Sequence, residues 1–319
     1  PHQPSPSTPL PTLLASGHYR AAAISAAQSL LQTPIPPDPR QVFDLLHVRL
    51  ASLTLTGDHG VALAAQEVRS LPPDLDDGGV VSWGLRVLLV RLRAIGYGDS
   101  RRAVMSYYDL ARECRLSIAD ALKRGDASAA EVWRERLDEI GVRVAGALVE
   151  MEDLPGAGEL LRSGVRKGSC SGRLDVARAL VWLQLGDVEE ARGCVSGDGM
   201  GEKGRKTVEA LCAMADGEHE VALGIWREIG GEDGVEDEMV GVNMAVCLLY
   251  CGRMQEGRAL LEKLVDAGFS SHTLLFNLTT MYELCTERPR GLKTQLAEKV
   301  AAMDESPFGW EKTNADFKL

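Results

Sequence analysis

At six widely spaced points along this chain, a glycine that fits a helical turn is followed five residues later by another small residue. The glycines stand 40, 41, 88, 31 and 35 residues apart, and the gap of 88 residues has room for one further, divergent copy. In a chain whose sequence favours helices, such a period indicates a solenoid in which each helical hairpin covers the apolar flank of the next. The pairs are Gly17/Ala22, Gly57/Ala62, Gly98/Ala103, Gly186/Ala191, Gly217/Ala222 and Gly252/Gly257.

Each part of this pattern has a physical explanation. Glycine ends a helix because it adopts the left-handed conformation at little strain, and the aspartates after Gly57, Gly98 and Gly186 favour the start of a second helix. The small residue five positions on lets the second helix approach the first closely. A larger residue four positions further fills the groove above it. We expect this larger residue to be Tyr107, Val195, Trp226 or Leu261 in the respective hairpins.

The later copies carry more of the pattern than the early ones. In the clearest copy Ala179 precedes Gly186 by seven residues, and Ala191 and Val195 follow it, with Trp182 on the first helix. Two further copies are Ala210/Gly217/Ala222/Trp226 and Ala245/Gly252/Gly257/Leu261. These features resemble the tetratricopeptide repeat. We therefore predict an all-α fold, a right-handed α-solenoid of about seven to eight tetratricopeptide-like helical hairpins with the first helices on its inner surface.

The middle of the chain departs from the repeat. Glu152 stands where the turn glycine belongs and divides the long gap into 54 and 34 residues. Ser128 and Glu131 form a capping-box pattern, which predicts that a helix of about 24 residues begins there and runs to Glu150. The additional residues then lie in longer helices or in an inserted loop.

The two ends of the chain differ from its repeats. Residues 1–11 are rich in proline, which predicts the end of a linker. The chain begins at Pro1 rather than Met, so we expect it to be a piece of a longer protein. Residues 12–302 form the predicted solenoid. Residues 303–319 are a tail with the aromatic residues Phe308, Trp310 and Phe317. We expect these side chains to cover the open end of the array or, alternatively, to contact another subunit.

Composition excludes several classes of function. The net charge of −11 argues against general affinity for nucleic acid, because its phosphates would be repelled. No apolar run approaches the roughly 18 residues that a membrane span needs. The seven cysteines lack the spacing of a disulfide framework, which favours a reducing, cytoplasmic compartment.

The candidate chemical motifs are weak. Cys247 and Cys251 lie four residues apart on one helical face, but no second pair completes a metal site, so two buried apolar side chains are the simpler interpretation. Gly199, Gly201 and Gly204 match a dinucleotide-binding pattern without the strand that it requires, so we interpret them as a flexible loop. We predict no catalytic, cofactor-binding or metal-binding residue.

A cluster of arginines interrupts this acidic chain. The cluster has two interpretations. It could form a basic face that binds an acidic partner or an anionic membrane, or it could be a solvated helix surface without a partner. We take Arg86, Arg93, Arg101 and Arg102, with the aromatic residues of the tail, as candidates for a partner interface. The full cluster is Arg86, Arg91, Arg93, Arg101, Arg102, Arg112 and Arg115.

The C-terminal part of the chain is similar to a known family. The run from Thr273 to Leu284, the segment Ser306-Pro-Phe308 and the ending Asp316-Phe-Lys-Leu319 resemble the subunit-twelve family of the transport protein particle (TRAPP) complex. The likeness in sequence is strongest over residues 238–319 and architectural over 12–237. It implies a non-catalytic scaffold in a complex that tethers vesicles and activates a Rab GTPase in ER-to-Golgi traffic and autophagy. It also implies other large subunits, such as eight and eleven, as partners, and a cytoplasmic location peripheral to ER–Golgi membranes through the complex.

A soluble peptide-binding adaptor outside membrane traffic, of the co-chaperone kind, is the alternative. Such adaptors hold a peptide carboxylate with asparagines on successive first helices, nine residues before the turn glycine. Asn243 satisfies this rule, whereas Val48, Leu89, Ala177 and Val208 occupy the other equivalent positions. The sequence therefore predicts no two-residue clamp, which counts against the adaptor.

Overall fold

The computed structural model describes residues 4–34, 36–72, 80–163, 172–196, 200–231 and 234–303. These residues form sixteen α-helices and one short 3₁₀ helix, and no strand occurs among them. Most helices that follow one another in the chain pack against each other. The predicted all-α fold of helical hairpins is confirmed.

The chain divides into two compact units, one containing the described residues of 1–97 and 233–319 and the other those of 98–232. The first unit contains α1 Leu10–Ala15, α2 Tyr19–Leu31, α3 Pro39–Leu55, α4 Asp58–Arg69, α5 Trp83–Tyr97, α13 Glu238–Tyr250, α14 Met254–Asp266, α15 His272–Cys285 and α16 Pro289–Ala301. The second contains α6 Ser100–Lys123, α7 Ala127–Glu150, α8 Leu154–Ser163, α9 Gly172–Leu185, α10 Val188–Gly193 with a 3₁₀ extension to Ser196, α11 Glu202–Ala215 and α12 His219–Gly230. The single array over residues 12–302 and its handedness stay predictions.

The turn after α9 shows how the repeat glycines act. Gly186 has a φ of 79°, its N–H donates to the carbonyl of Leu183 at 3.1 Å, and the N–H of Asp187 donates to Trp182 at 3.0 Å. These two bonds satisfy carbonyls at the end of α9 that no helical N–H can reach. The carboxylate of Asp187 then accepts from the N–H of Glu190 at 3.2 Å and begins α10.

Glu152 reproduces this geometry without a glycine. Its φ is 62°, its N–H donates to Val149 at 3.0 Å, and the N–H of Asp153 donates to Leu148 at 2.9 Å. The bonding pattern is the one at Gly186. The prediction that Glu152 occupies a turn-glycine position is therefore confirmed.

The small residue five positions after the turn glycine is buried, as predicted, in five of the six pairs. The prediction is wrong for the second pair. Ala22, Ala103, Ala191, Ala222 and Gly257 are buried, but Ala62 is exposed. Gly57 has a φ of 94° and a ψ of −164°, so it caps α4 directly and the helix starts one residue after it rather than two. Gly60 is the residue of α4 that lies close to the end of α3, where an added Cβ would be 2.1 Å from the carbonyl oxygen of Leu53.

The larger residues of the pattern fill the interiors of the units as predicted. Tyr107, Trp226 and Leu261 are buried, and Val195 is partly buried against the core that surrounds Trp182. Helix α7 contacts both α8 and α9, and α9 in turn contacts α10 and α11. Each hairpin of this stretch is therefore covered by the next one, as in tetratricopeptide arrays.

The additional length in the middle of the chain lies in two long helices. Helices α6 and α7 have 24 residues each and contact one another. The predicted capping box at the start of α7 is wrong. Asp126 is the N-cap and accepts from the N–H of Ala129 at 2.9 Å, while Glu131 pairs with Arg134 at 3.0 Å instead of returning to the cap.

Candidate interaction surfaces

The structure places the candidate arginines of α5 against the chain itself. The Arg86 guanidinium lies 5.9 Å from the ring centroid of Trp83, and Arg93 donates to the carbonyl of Pro72 at 2.7 Å. Both side chains are half-buried. Such contacts restrict the orientation of the guanidinium groups. A role for either residue in partner binding stays a prediction.

The next two candidate arginines belong to the first turn of α6. Arg101 and Arg102 are exposed, and the backbone N–H of Arg101 donates to the Asp99 carboxylate at 3.1 Å. Cations at a helix N-terminus oppose the helix dipole, so this turn carries more positive charge than helix stability favours. The structure thus assigns Arg86 and Arg93 to one unit, and Arg101 and Arg102 to the other.

The candidate residues of the tail, Phe308, Trp310 and Phe317, lie outside the described residues. Their predicted role in covering the end of the array stays a prediction. The last described helix, α16, carries the exposed residues Gln295, Glu298 and Lys299, and Lys299 pairs with Asp266 of α14.

A groove of about 620 Å³ lies along α7 and α9, which are neighbouring first helices of the second unit. Its apolar lining residues are Val132, Val142, Leu174 and Ala177. Its charged lining residues are Glu135, Arg136, Glu139, Arg143 and Arg173. Arg143 pairs with Glu139 at 2.7 Å, and the Arg136 guanidinium lies 4.4 Å from the ring centroid of Trp133. An apolar floor between charged walls of both signs suits a polypeptide segment as the ligand.

Two asparagines occupy equivalent positions on α13 and α15. Asn243 and Asn277 are each the sixth residue of their helix, and each donates to the carbonyl four residues earlier at 2.8 Å. The two helices begin side by side, because the Glu238 carboxylate accepts from the N–H of Ser271 at 3.1 Å. Sequence reasoning missed Asn277 because α15 ends without a turn glycine from which to count. Equal spacing from the two N-caps, Asp237 and Ser271, would have found it.

A buried charged cluster lies in the core of the second unit. Asp175 and Arg178 are nearly inaccessible and 3.9 Å apart, and the Nε of Arg178 donates to the sulfur of Cys194 at 3.1 Å. Burial raises the pKa of the Cys194 thiol, and the Arg178 guanidinium lowers it by less. A buried thiol that stays protonated is a poor nucleophile. This cluster therefore holds α9 against α10 and offers no reactive group.

The sequence motifs that were candidates for metal or nucleotide binding are mostly part of the helices. Cys247 is buried and Cys251 half-buried on α13 and its C-cap. Gly201 is the N-cap of α11 and Gly204 lies within that helix, so the loop predicted there ends earlier than we expected; Gly199 lies outside the described residues. Within the described ranges, no three His, Cys, Asp or Glu side chains are grouped so that they could hold a metal ion.

None of the helices in the described part of the chain combines the length and the apolar character that crossing a bilayer requires.

Curated proteins from two organisms are similar to this chain. The chain is 27% identical to trafficking protein particle complex subunit 12 of Homo sapiens over 266 residues, which is 72% of this chain and 35% of the human protein. It is 41% identical to the Mus musculus protein of the same name over 69 residues, 21% of this chain and 9% of the mouse protein. The chain thus spans about a third of the human relative. No family model matches it.

Comparison with solved structures finds the tetratricopeptide-repeat domain of P58(IPK). The match covers 92% of this chain and 94% of the domain at 15% sequence identity, with a TM-score of 0.22. A superposition this poor adds nothing to the fold assignment, which depends on the chain's own helices. The similarity to subunit 12 agrees with the family resemblance of the C-terminal run and extends over most of the chain.

Proposed function

We propose that this chain is a scaffold subunit of a TRAPP-like complex, which acts by binding other subunits and performs no chemistry itself. The observation that carries the proposal is the similarity to human trafficking protein particle complex subunit 12 over 72% of the chain. The fold supports it, because stacked helical hairpins present long surfaces to partners. This proposal assigns no catalytic role to the buried Cys194 or to the Arg143–Glu139 pair of the α7–α9 groove.

The partners in this proposal are the other TRAPP subunits, in particular the large subunits eight and eleven. The chain would then be cytoplasmic and would reach ER–Golgi membranes only through the complex. The vesicle-tethering and Rab-activating functions in ER-to-Golgi traffic and autophagy belong, in this account, to the assembly.

Affinity purification of the full-length protein from its own cells tests the proposal. We expect the other TRAPP subunits to co-elute in amounts comparable to the tagged protein and to remain bound at moderate salt concentration. Recovery of chaperones alone, with no TRAPP subunit, would refute the scaffold and favour the adaptor.

The second candidate function, a soluble peptide-binding adaptor outside membrane traffic, is favoured by one observation. Asn243 and Asn277 lie at the same position on two adjacent helices that run in the same direction, so their side-chain amides can donate to one peptide carboxylate. Each amide nitrogen uses one hydrogen for its own helix and retains another for a ligand. The sequence-based argument against a two-residue clamp overlooked this pair.

The two functions differ in what the asparagines do. If the chain is an adaptor, Asn243→Ala combined with Asn277→Ala should abolish the recovery of chaperones with the full-length protein. If it is a TRAPP scaffold, the same double variant should recover the other subunits undiminished.

A further inference from the structure

Helix α6 buries one side and exposes the other along its whole length. Ala103, Tyr107, Leu110 and Cys114 form the buried side. The opposite side carries a row of exposed residues, which we call the outer seam of α6: Met105, Tyr108, Arg112, Arg115, Ala119 and Leu122. The exposed fractions of Met105, Tyr108 and Leu122 are 65%, 44% and 51%. These values mark large apolar side chains that the fold leaves in water.

The spacing of the outer seam is that of a helix-pairing surface. Its six positions are separated by three, four, three, four and three residues, which is the heptad spacing that keeps side chains on one line facing a second helix. Helix α6 has 24 residues and so spans about 36 Å, enough for three heptads. The solvent-facing side of a helix without a partner would normally be polar throughout.

Charge defines the partner. The centre of the seam is Arg112 and Arg115, and Arg101 extends it at the N-terminal end. The carboxylates of α6 on its exposed side, Asp109 and Asp120, flank the seam without lying on it. In a chain with a net charge of −11, this row is locally basic, so its complement is acidic.

A second copy of the chain is a poor occupant. In an antiparallel pair of identical α6 helices, Arg112 of one copy would face Arg115 of the other, and in a parallel pair each arginine would face itself. Either arrangement brings like charges together in the middle of the contact, which opposes pairing.

A membrane surface is also a poor occupant. A helix that lies on a bilayer keeps one continuous apolar face and places its cations on the polar side. Here Arg112 and Arg115 interrupt the apolar row itself. Arginine, tyrosine and methionine together are instead the residues that protein interfaces favour, and the guanidinium group pairs with carboxylates through two parallel hydrogen bonds.

We propose that the outer seam of α6 binds one amphipathic helix of another protein, with apolar side chains at both ends of three heptads and Asp or Glu in the central one. The apolar ends of the seam provide burial, and Arg112 and Arg115 select the acidic helix and fix its register. This inference does not depend on the TRAPP assignment, because any acidic helix of this pattern satisfies it.

The test uses two fluorescently labelled helical peptides of three heptads. Both carry Leu at the facing positions of the outer heptads, and the central facing positions are Glu in one peptide and Lys in the other. Binding to the purified chain is measured by fluorescence anisotropy at roughly 0.15 M salt. We expect the Glu peptide to bind at least tenfold more tightly than the Lys peptide. We also expect Arg112→Glu with Arg115→Glu to reverse this preference.

The matched control is Arg205→Glu with Arg290→Glu, which reverses two exposed arginines on α11 and α16 and should leave the preference unchanged. Helicity measured by circular dichroism confirms that the variants are folded. The proposal is wrong if both peptides bind alike, or if the seam variant keeps the wild-type preference. Two further results would overturn it if neither peptide binds the wild-type chain. One is that the wild-type chain self-associates in light scattering and the seam variant does not. The other is that the wild-type chain binds phosphatidylserine vesicles and the seam variant does not.

Discussion

Replacing Glu152 by glycine should stabilise this protein. Among the described residues, Glu152 is the one non-glycine residue with a positive φ, and its side chain is exposed. A left-handed conformation costs a residue with a Cβ about 1–2 kcal/mol. Glycine avoids this cost but loses about 0.5–1 kcal/mol more conformational entropy on folding. The difference predicts that Glu152→Gly raises the free energy of unfolding by about 0.5–1 kcal/mol.

The control is the opposite change in the equivalent turn. Gly186 has a φ of 79°, and an added Cβ would meet no heavy atom within 4 Å, so Gly186→Ala carries only the conformational cost. We expect this variant to lose about 0.5–1 kcal/mol, because the same two contributions act with opposite sign. Urea unfolding followed by circular dichroism measures both changes as shifts of the midpoint at a constant slope. The reasoning fails if Glu152→Gly lowers the midpoint or if Gly186→Ala leaves it where it is.

Three further predictions concern packing and charge. Ala222→Leu should lower the free energy of unfolding by about 1–3 kcal/mol, measured by thermal unfolding, because Ala222 is fully buried. Ala62→Leu should leave it nearly unchanged, because Ala62 is on the exposed side of α4. Equal losses in the two variants would contradict this difference in burial. Arg178→Ala should cost about 3–5 kcal/mol because it removes the guanidinium that faces the buried Asp175 carboxyl at 3.9 Å, and Arg178→Met with Asp175→Leu should recover most of the urea midpoint. Burial, with a smaller contribution from the nearby Glu262 carboxylate, raises the pKa of Tyr282 from 10.0 to about 12. The stability that the protonated tyrosine contributes is therefore complete below pH 10 and is lost as the pH rises to about 12. Tyr282→Phe should therefore show a shallower fall of the unfolding midpoint over this pH range, and identical profiles would refute the assignment.

The hairpin turns could be predicted from the sequence because their chemistry is local. A left-handed residue at the end of a helix needs only its own neighbours, so Gly186 and even Glu152 are recognisable from their position in the period. The small and large residues that follow, such as Ala222 and Trp226, keep a fixed distance from that turn. Their burial follows from the same count.

The errors came from choices between competing local signals. Gly57 is itself the N-cap of α4, whereas the N-cap follows the turn glycine by one residue at α2, α6, α10, α12 and α14, and Ala62 lies on the exposed side of α4. At the start of α7, Asp126 and Ser128 are both good caps, and the sequence does not show that Glu131 pairs with Arg134 instead. A one-residue shift of a helix start changes which face is buried.

The interaction surfaces were less predictable than the fold. The arginine cluster was visible in the sequence, but its division between the half-buried Arg86 and Arg93 and the exposed Arg112 and Arg115 depends on which side of each helix its neighbours cover. Asn277 was missed because its hairpin lacks the glycine that served as the reference point.

The most direct test of a scaffold that works by contact is the mass of the particles it forms. The purified chain, of 34.4 kDa, is mixed with recombinant TRAPP subunits eight and eleven at micromolar concentration and analysed by light scattering during size-exclusion chromatography. The account predicts one peak with the summed mass of the chain and at least one large subunit. Elution of the chain at its own mass, separate from both subunits, would contradict it.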